Sequence, residues 1–509
     1  MASEVATSTM SAAPSTPPSR PAKKKKSRYT RRADEFRWLN WVYNQWKDKP
    51  AGNLDEEVIK QMVTSISWWG RRRDDTSSKR AEELLDRLLE EYHAGNPHFE
   101  PTVAIFNAAM DAHAKVAKPH GVQSVMRKME KLRCSDRQNS IRLSHLEPDV
   151  FSMSTLASAW AKSRLPEAHL KAEAILRYMD SKGIEPNTIV FNSILHALSF
   201  SNRMDKANRA EEIVQRMKQE AAQGKDCEPD IYSYQSLILA WSRTKTSEGP
   251  MKAEDILSFL ERQAKKGNKA LSPNAHCFTS VIHAWARSRE DGRARKAYNI
   301  LNQMRERYHL NNSKSVKPTV AAYTAVINSC NGPLDDFEKE DAFRIAQLTM
   351  DELLQGDYDK ANFLSYATFL GVCSSTLPPG MRRDYVVLST FEKCTKAGQV
   401  GKIVVEKLKL AASPALYNEL LSDKLDEDGV PLLPKEWTRN VRGERNVEPR
   451  KYSNNLSPWN GLQSSNQRLQ KLKEYAEEAS DEEKKAESHH DSISWTKEEL
   501  PTRELQFQA

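Results

Sequence analysis

The chain has 509 residues, 39 % of them hydrophobic and 29 % charged, with 77 basic against 69 acidic side chains and a formal net charge of +8. The apolar share is low for a compact enzyme of this length, and the mild basic excess permits an anionic partner without demanding one. No apolar run approaches the ~20 residues of a membrane-spanning helix, and the six cysteines (Cys134, Cys227, Cys277, Cys330, Cys373 and Cys394) lie far apart with no CxxC pair, which fits unpaired thiols in a reducing compartment.

In chain order, residues 1–35 open as a Ser-, Thr-, Ala- and Pro-rich stretch with one acid before residue 33, Glu4, and turn basic from Arg20 through the run Lys23–Lys26 to Arg31 and Arg32. Such a stretch cannot bury enough apolar surface to fold. Three readings stand for it: an acid-poor organelle transit peptide, a nuclear signal in the four-lysine run, or a solvated basic tail. Residues 36–56 begin with FRWLNWVYNQW, aromatic at 36, 38, 41, 43 and 46. We expect a capping helix there, covering the outer face of a first repeat.

From residue 57 to 398 a two-helix unit recurs with one internal distance fixed. A polar residue one turn into the first helix is followed 18 positions later by an alanine in the second: Ser154/Ala172, Asn192/Ala210, Gln235/Ala253, Thr279/Ala297 and Thr324/Ala342, with Val63/Ala81 as a degenerate first copy. Unit-to-unit spacings through Val63, Asn107, Ser154, Asn192, Gln235, Thr279, Thr324 and Ala367 run 44, 47, 38, 43, 44, 45 and 43. A period of this size means stacked helical hairpins rather than one closed core. Within a unit, Phe191, Ile194, Leu195 and Leu198 form one stripe of an amphipathic helix, and Ala210, Ile213, Val214 and Met217 form the next. The repeated text before the alanine (KRAEELL at 79, LKAEAIL at 170, NRAEEIV at 208) places a lysine or arginine on a solvated face and the alanine at a close helix–helix contact. Polar insertions at 133–145, 264–271 and 308–316 read as surface loops. Residues 399–425 read as a half-repeat cap. Residues 426–509, with isolated Trp437 and Trp459, read as a mostly disordered charged tail in which KLKEYAEEASDEEKKAE could form a lone helix.

Before each first helix a proline precedes a small polar residue: Pro101-Thr102, Pro148-Asp149, Pro186-Asn187, Pro229-Asp230, Pro273-Asn274 and Pro318-Thr319. Together with the aromatic or methionine ahead of each key polar position, segments such as GIEPNTIVFNSILHAL (183–198) and CEPDIYSYQSLILAW (227–241) closely resemble the pentatricopeptide repeat. Most units exceed that family's usual length. The resemblance implies an all-α, right-handed α-solenoid that binds single-stranded RNA in an organelle, mitochondrion or plastid, with one base per repeat read by two side chains. Those are the helix-one polar residue and the polar residue after the following proline.

Carried onto this sequence, the pairs are Asn107 with Asp149 and Asn192 with Asp230, similar to uracil-preferring pairs. Ser154 with Asn187 and Thr324 with Asn362 look adenine-leaning. Gln235 with Asn274 and Thr279 with Thr319 are undefined, for a core U-A-U-N-N-A read from the N-terminal repeat as 5′. Three residues before each key position the resemblance implies base stacking, by Phe151, Ile189, Tyr232 and His276. Two bland readings compete. Asp149, Asn187, Asp230, Asn274 and Thr319 are good N-cap residues after a proline, and a key polar residue could be merely solvated.

No catalytic residue, cofactor or metal site is expected. His145-Leu146-Glu147 matches HxE, but no CxxC accompanies it, and His489-His490-Asp491 lacks partner ligands. The second functional possibility is a protein–protein scaffold holding a peptide, an RNA-processing factor or a ribosomal component, with no membrane partner.

Overall fold

The computed structural model describes residues 28–46, 52, 54–135, 143, 145–244, 246–311, 313–332, 335–421 and 433–442. The basic segment 1–27 and the stretch 443–509, with Trp459 and the anticipated lone helix, lie outside the described residues. Among the described residues every regular element is helical. The chain divides into two compact units, one of residues 1–244 with 263–272, the other of 245–262 with 273–509.

The first unit begins with α1 (Arg28–Trp46), followed by the hairpins α2 (Glu56–Trp69) with α3 (Asp75–His93), α4 (Val103–Lys115) with α5 (Pro119–Ser135), α6 (Val150–Ser163) with α7 (Ala168–Lys182), and α8 (Thr188–Phe200) with α9 (Lys206–Ala222), and then α10 (Ile231–Ser242). The first helices pack in sequence, α2 on α4, α4 on α6, α6 on α8 and α8 on α10. Each second helix packs against its own first helix and against the next one. Two layers result, and the unit is a helical repeat solenoid. α11 (Glu248–Lys265) crosses the division.

The second unit repeats the scheme with α12 (Ala275–Arg287) and α13 (Arg293–Asn311), α14 (Val320–Ser329) and α15 (Asp336–Gln355), and α16 (Phe363–Thr376) and α17 (Met381–Ala397). α18 (Lys402–Ala411) takes the next first-helix place on α16, and α19 (Pro414–Leu421) and α20 (Lys435–Thr438) follow.

Local chemistry sets the helix ends. The side chains of Asp149, Asn187, Asp230, Asn274 and Asn362 each accept a bond from the backbone N–H three residues on, at the start of α6, α8, α10, α12 and α16. Each such cap contributes about 1 kcal/mol. Thr102 and Thr319 occupy the same place without a side-chain cap bond. Gly183 closes α7 at φ +66°, a left-handed conformation that costs any other residue strain.

The alanines of the repeat lie where helices meet. Ala81, Ala172, Ala210, Ala253 and Ala297 are fully buried and Ala342 is 2 % exposed. The loop expected at 308–316 is shorter than the sequence indicated, because α13 continues to Asn311: Tyr308 packs on Tyr358 at 5.8 Å and His309 Nε2 lies 2.5 Å from its hydroxyl. Nor is Trp437 part of a loose tail. It is buried edge-on against Phe391, its carbonyl accepts from Val400 N at 2.8 Å, and Asn440 N donates to Gly398 O at 2.9 Å.

Candidate functional site

The first helices carry the sequence-predicted residues in one register. In α4 the key residue is Asn107. Its amide Nδ2 donates to Asp149 Oδ1 and Oδ2 at 3.2 and 3.3 Å, and its Oδ1 accepts from Ser152 Oγ at 2.7 Å. The same set recurs two hairpins beyond: Asn192 Nδ2 donates to Asp230 Oδ1 at 3.0 Å, and Asn192 Oδ1 accepts from Ser233 Oγ at 2.6 Å. Two residues far apart in sequence, paired above only by resemblance, are thus in direct contact.

The other pairs differ. Ser154 Oγ lies 3.3 Å from Asn187 Oδ1, but its shorter bond, 2.6 Å, goes back to Val150 O in its own helix. Thr324 reaches Asn362 through a serine: Thr324 Oγ1 is 2.8 Å from Ser365 Oγ, which is 3.2 Å from Asn362 Oδ1. Thr279 Oγ1 turns back to Ala275 O at 2.7 Å, and Thr319 makes no cap bond. Gln235 and Asn274 fall in different units, Asn274 capping α12 through His276 N and Cys277 N.

The key residues sit deeper than a merely solvated position would. Asn107 is 7 % exposed, Ser154 6 % and Thr324 9 %, while Asn192, Gln235 and Thr279 are half-buried. The positions three residues earlier are the reverse. Phe151, Ile189 and Tyr232 are 54, 57 and 63 % exposed, and His276 is exposed too. One turn apart on the same helix face, a tethered polar group lies beside an open apolar or aromatic one. The aromatics just ahead of the key positions, Phe106, Phe191, Phe278 and Tyr323, are fully buried and serve the core.

The pentatricopeptide repeat domain family model matches residues 144–201 and 174–242, the stretch that holds two of these pairs and the hairpins between them. Residues 144–242 are pentatricopeptide repeats. The crystal structure of the pentatricopeptide repeat protein PPR10 from maize is similar at 17 % identity, over 76 % of this chain and 56 % of that one, with a TM-score of 0.36. PPR10 in complex with an 18-nt psaJ RNA element is similar at 16 % identity, over 79 % of this chain and 58 % of that one, with a TM-score of 0.29. The chain therefore spans little more than half the length of these relatives. A search of curated proteins finds no match.

Serines at the third helical position of the following repeat were not singled out from the sequence. Ser152, Ser233 and Ser365 are fully buried, and each touches both the cap residue and the preceding key residue. The signal was there, as a D-x-x-S following the proline in two units and an N-x-x-S following Ala361 in a third. The chance HxE has a structural explanation: His145 Nε2 lies 3.1 Å from Pro101 O and Glu147 pairs with Arg133 at 2.5 Å. Among the described residues no group of three or more His, Cys, Asp or Glu could hold a metal, and no helix is long and apolar enough to cross a membrane.

Proposed function

We propose that the first-helix face binds single-stranded RNA, one nucleotide per repeat, and that the protein acts without catalysing a reaction, by covering an RNA segment or presenting it to other factors. One observation carries this: the Asn–Asp pairs at 107/149 and 192/230, each joined across neighbouring repeats, with exposed Phe151, Ile189 and Tyr232 in stacking position beside the key residues. A splayed base needs a flat apolar partner for its face and a fixed polar group for its edge. The pentatricopeptide repeats matched over residues 144–242 support the same reading.

Eight residues beyond the key position stand Lys115 and Lys162 in the last turns of α4 and α6, Arg71 and Arg243 just past the ends of α2 and α10, and, in the second unit, Arg287 at the end of α12. These cations suit the phosphates of a strand whose bases meet the key residues. Each phosphate contact steepens the log–log salt dependence of binding by about 0.7. The acid-poor N-terminal segment supports a setting in mitochondrion or plastid, which a fluorescent fusion of the full chain checks.

The experiment is an electrophoretic shift with homopolymer RNAs at two salt concentrations. Salt-sensitive binding that prefers poly(U) and is lost when Asn107 and Asn192 are both replaced by alanine supports RNA reading. A wild-type protein that shifts none of the four homopolymers overturns it in favour of a protein scaffold.

A further inference from the structure

We infer that Ser152 and Ser233 are positioning residues for base selectivity: from inside the repeat junction they fix which end of the key asparagine's amide is presented to a base. The inference rests on the RNA reading proposed above and deepens it.

An asparagine amide has a donating and an accepting end of nearly the same shape. Free to flip, it would accept a base that offers either a carbonyl or an amino group. In this chain neither Asn107 nor Asn192 is free. Asp149 and Asp230 are carboxylates that only accept, so the amide end 3.2 and 3.0 Å from them must be the NH2. The opposite end, the carbonyl, is taken by a serine hydroxyl at 2.7 Å (Ser152) or 2.6 Å (Ser233). Both serines are fully buried, and their backbone N–H groups are held by the same aspartates at 2.8 and 3.0 Å. Neither hydroxyl can therefore drift away. The three side chains form a closed set in which the aspartate orients the serine and the two together orient the amide.

The chemical consequence is a choice among bases. Of the two amide hydrogens one is committed to the aspartate and one remains, while the carbonyl is turned to the buried hydroxyl. A base that brings a carbonyl to this N–H is accepted. A base that brings an amino group meets donor with donor, and the amide cannot turn over without breaking both of its bonds. Uracil presents O4 at the place where cytosine presents its amino group, so a locked amide separates the two pyrimidines and a flipping one does not. Where the following repeat lacks the serine the lock is missing: after Ser154 the corresponding residue is Val190, and Ser154 commits its proton to Val150 O. Selectivity should therefore be sharp at the nucleotides facing Asn107 and Asn192 and weaker at the one between.

The test uses the full chain and a pool of randomised 12-nucleotide RNA. Selection and sequencing give the base preferences of wild type, and fluorescence anisotropy on the winning RNA and its single U-to-C variants gives the discrimination at each position. In Ser152→Ala we expect the uracil-over-cytosine ratio at the Asn107 nucleotide to fall by about tenfold, one hydrogen bond's worth, with the ratio at the Asn192 nucleotide unchanged. Ser233→Ala should do the converse, and Ser152→Thr or Ser233→Thr, which keep the hydroxyl, should restore the ratio. Loss of affinity for all RNAs alike, or an undiminished ratio in a folded Ser→Ala variant, overturns the lock and leaves base reading standing. A wild type with no preference at either nucleotide overturns base reading itself, and the lock with it.

Discussion

Gly121 lies directly against the imidazole of His113: a Cβ at residue 121 would stand 2.3 Å from His113 Nδ1 and 2.7 Å from its Cγ. The backbone at 121 is ordinary helix, so conformation does not require glycine, and alanine would ordinarily gain about 1 kcal/mol there. Space is what forbids it. His113 is 4 % exposed and cannot retreat without leaving Glu82, 2.8 Å from its Nε2. We expect Gly121→Ala to cost about 2 kcal/mol, the ordinary penalty of overpacking a core. Adding His113→Ala should recover part of it in a double-mutant cycle read by urea unfolding.

Glu82 is the hub of that junction. From α3 it accepts from His113 in α4 and from Ser124 and Lys128 in α5, at 2.8, 2.9 and 2.8 Å, so three helices meet on one carboxylate. The His113 bond first, then those of Lys128 and Ser124, outweigh burial and pull its pKa down from 4.5 to about 2. A carboxylate with a depressed folded-state pKa contributes stability that is present above its unfolded value and is lost as pH falls through the folded one. Wild type should therefore exceed Glu82→Gln in melting temperature at pH 6, with the gap closing between about pH 4.5 and pH 2. A gap that stays constant down to pH 2 would show that the carboxylate's charge is not what ties the hairpins together.

The hairpin period was legible because it rests on alternation between a polar position and a close-packed alanine, and burial of all six alanines follows from that alone. Pairing of Asn107 with Asp149 was legible only through family resemblance, since nothing local says that a residue 42 positions on will touch the first. The buried serines were missed because a serine inside a helix reads as neutral. Its role depends on a partner in another repeat. Arg80 and Arg209, expected on a solvated face, are partnered: Arg80 lies over the rings of Tyr43 and Trp69, and Arg209 Nε bonds Glu173 at 3.1 Å. A basic residue before the alanine can lie open, as Lys171 does, or meet the preceding hairpin, and the sequence of one unit does not hold the difference. Trp437 was noticed but placed in a loose tail, because a helix of four residues has no period to read.

Arg293, at the start of α13, is 5 % exposed and forms no ion pair among the described residues. Its guanidinium instead donates to three carbonyls, Ser329 O at 3.0 Å, Ser288 O at 2.8 Å and Asn331 O at 2.9 Å, joining the ends of α12 and α14. Methionine at this position would fill much of the volume and leave all three carbonyls without that donor. At about 1 kcal/mol or more for each unmet group, Arg293→Met should lose about 3 kcal/mol, seen as a lower urea midpoint with an unchanged slope. Arg293→Lys, with a single ammonium in place of the fork, should fall between the two.

Tyr232 and Phe151 separate binding from folding. They are 63 and 54 % exposed in α10 and α6, whereas Phe191 in α8, two residues past the stacking position Ile189, is fully buried. Truncating an exposed ring removes little from the folded state, so Tyr232→Ala and Phe151→Ala should melt within about 0.5 kcal/mol of wild type. If the rings stack on bases, each loss should weaken binding to a 12-nucleotide single-stranded RNA by about 1–3 kcal/mol, read by fluorescence anisotropy, with the salt slope unchanged because no phosphate contact is lost. Phe191→Ala should do the opposite, destabilising by about 3–5 kcal/mol through its cavity. Should the Tyr232 and Phe151 variants bind RNA as wild type does, the exposed rings lie off the path of the strand, and affinity must come from the cations at residues 71, 115, 162, 243 and 287.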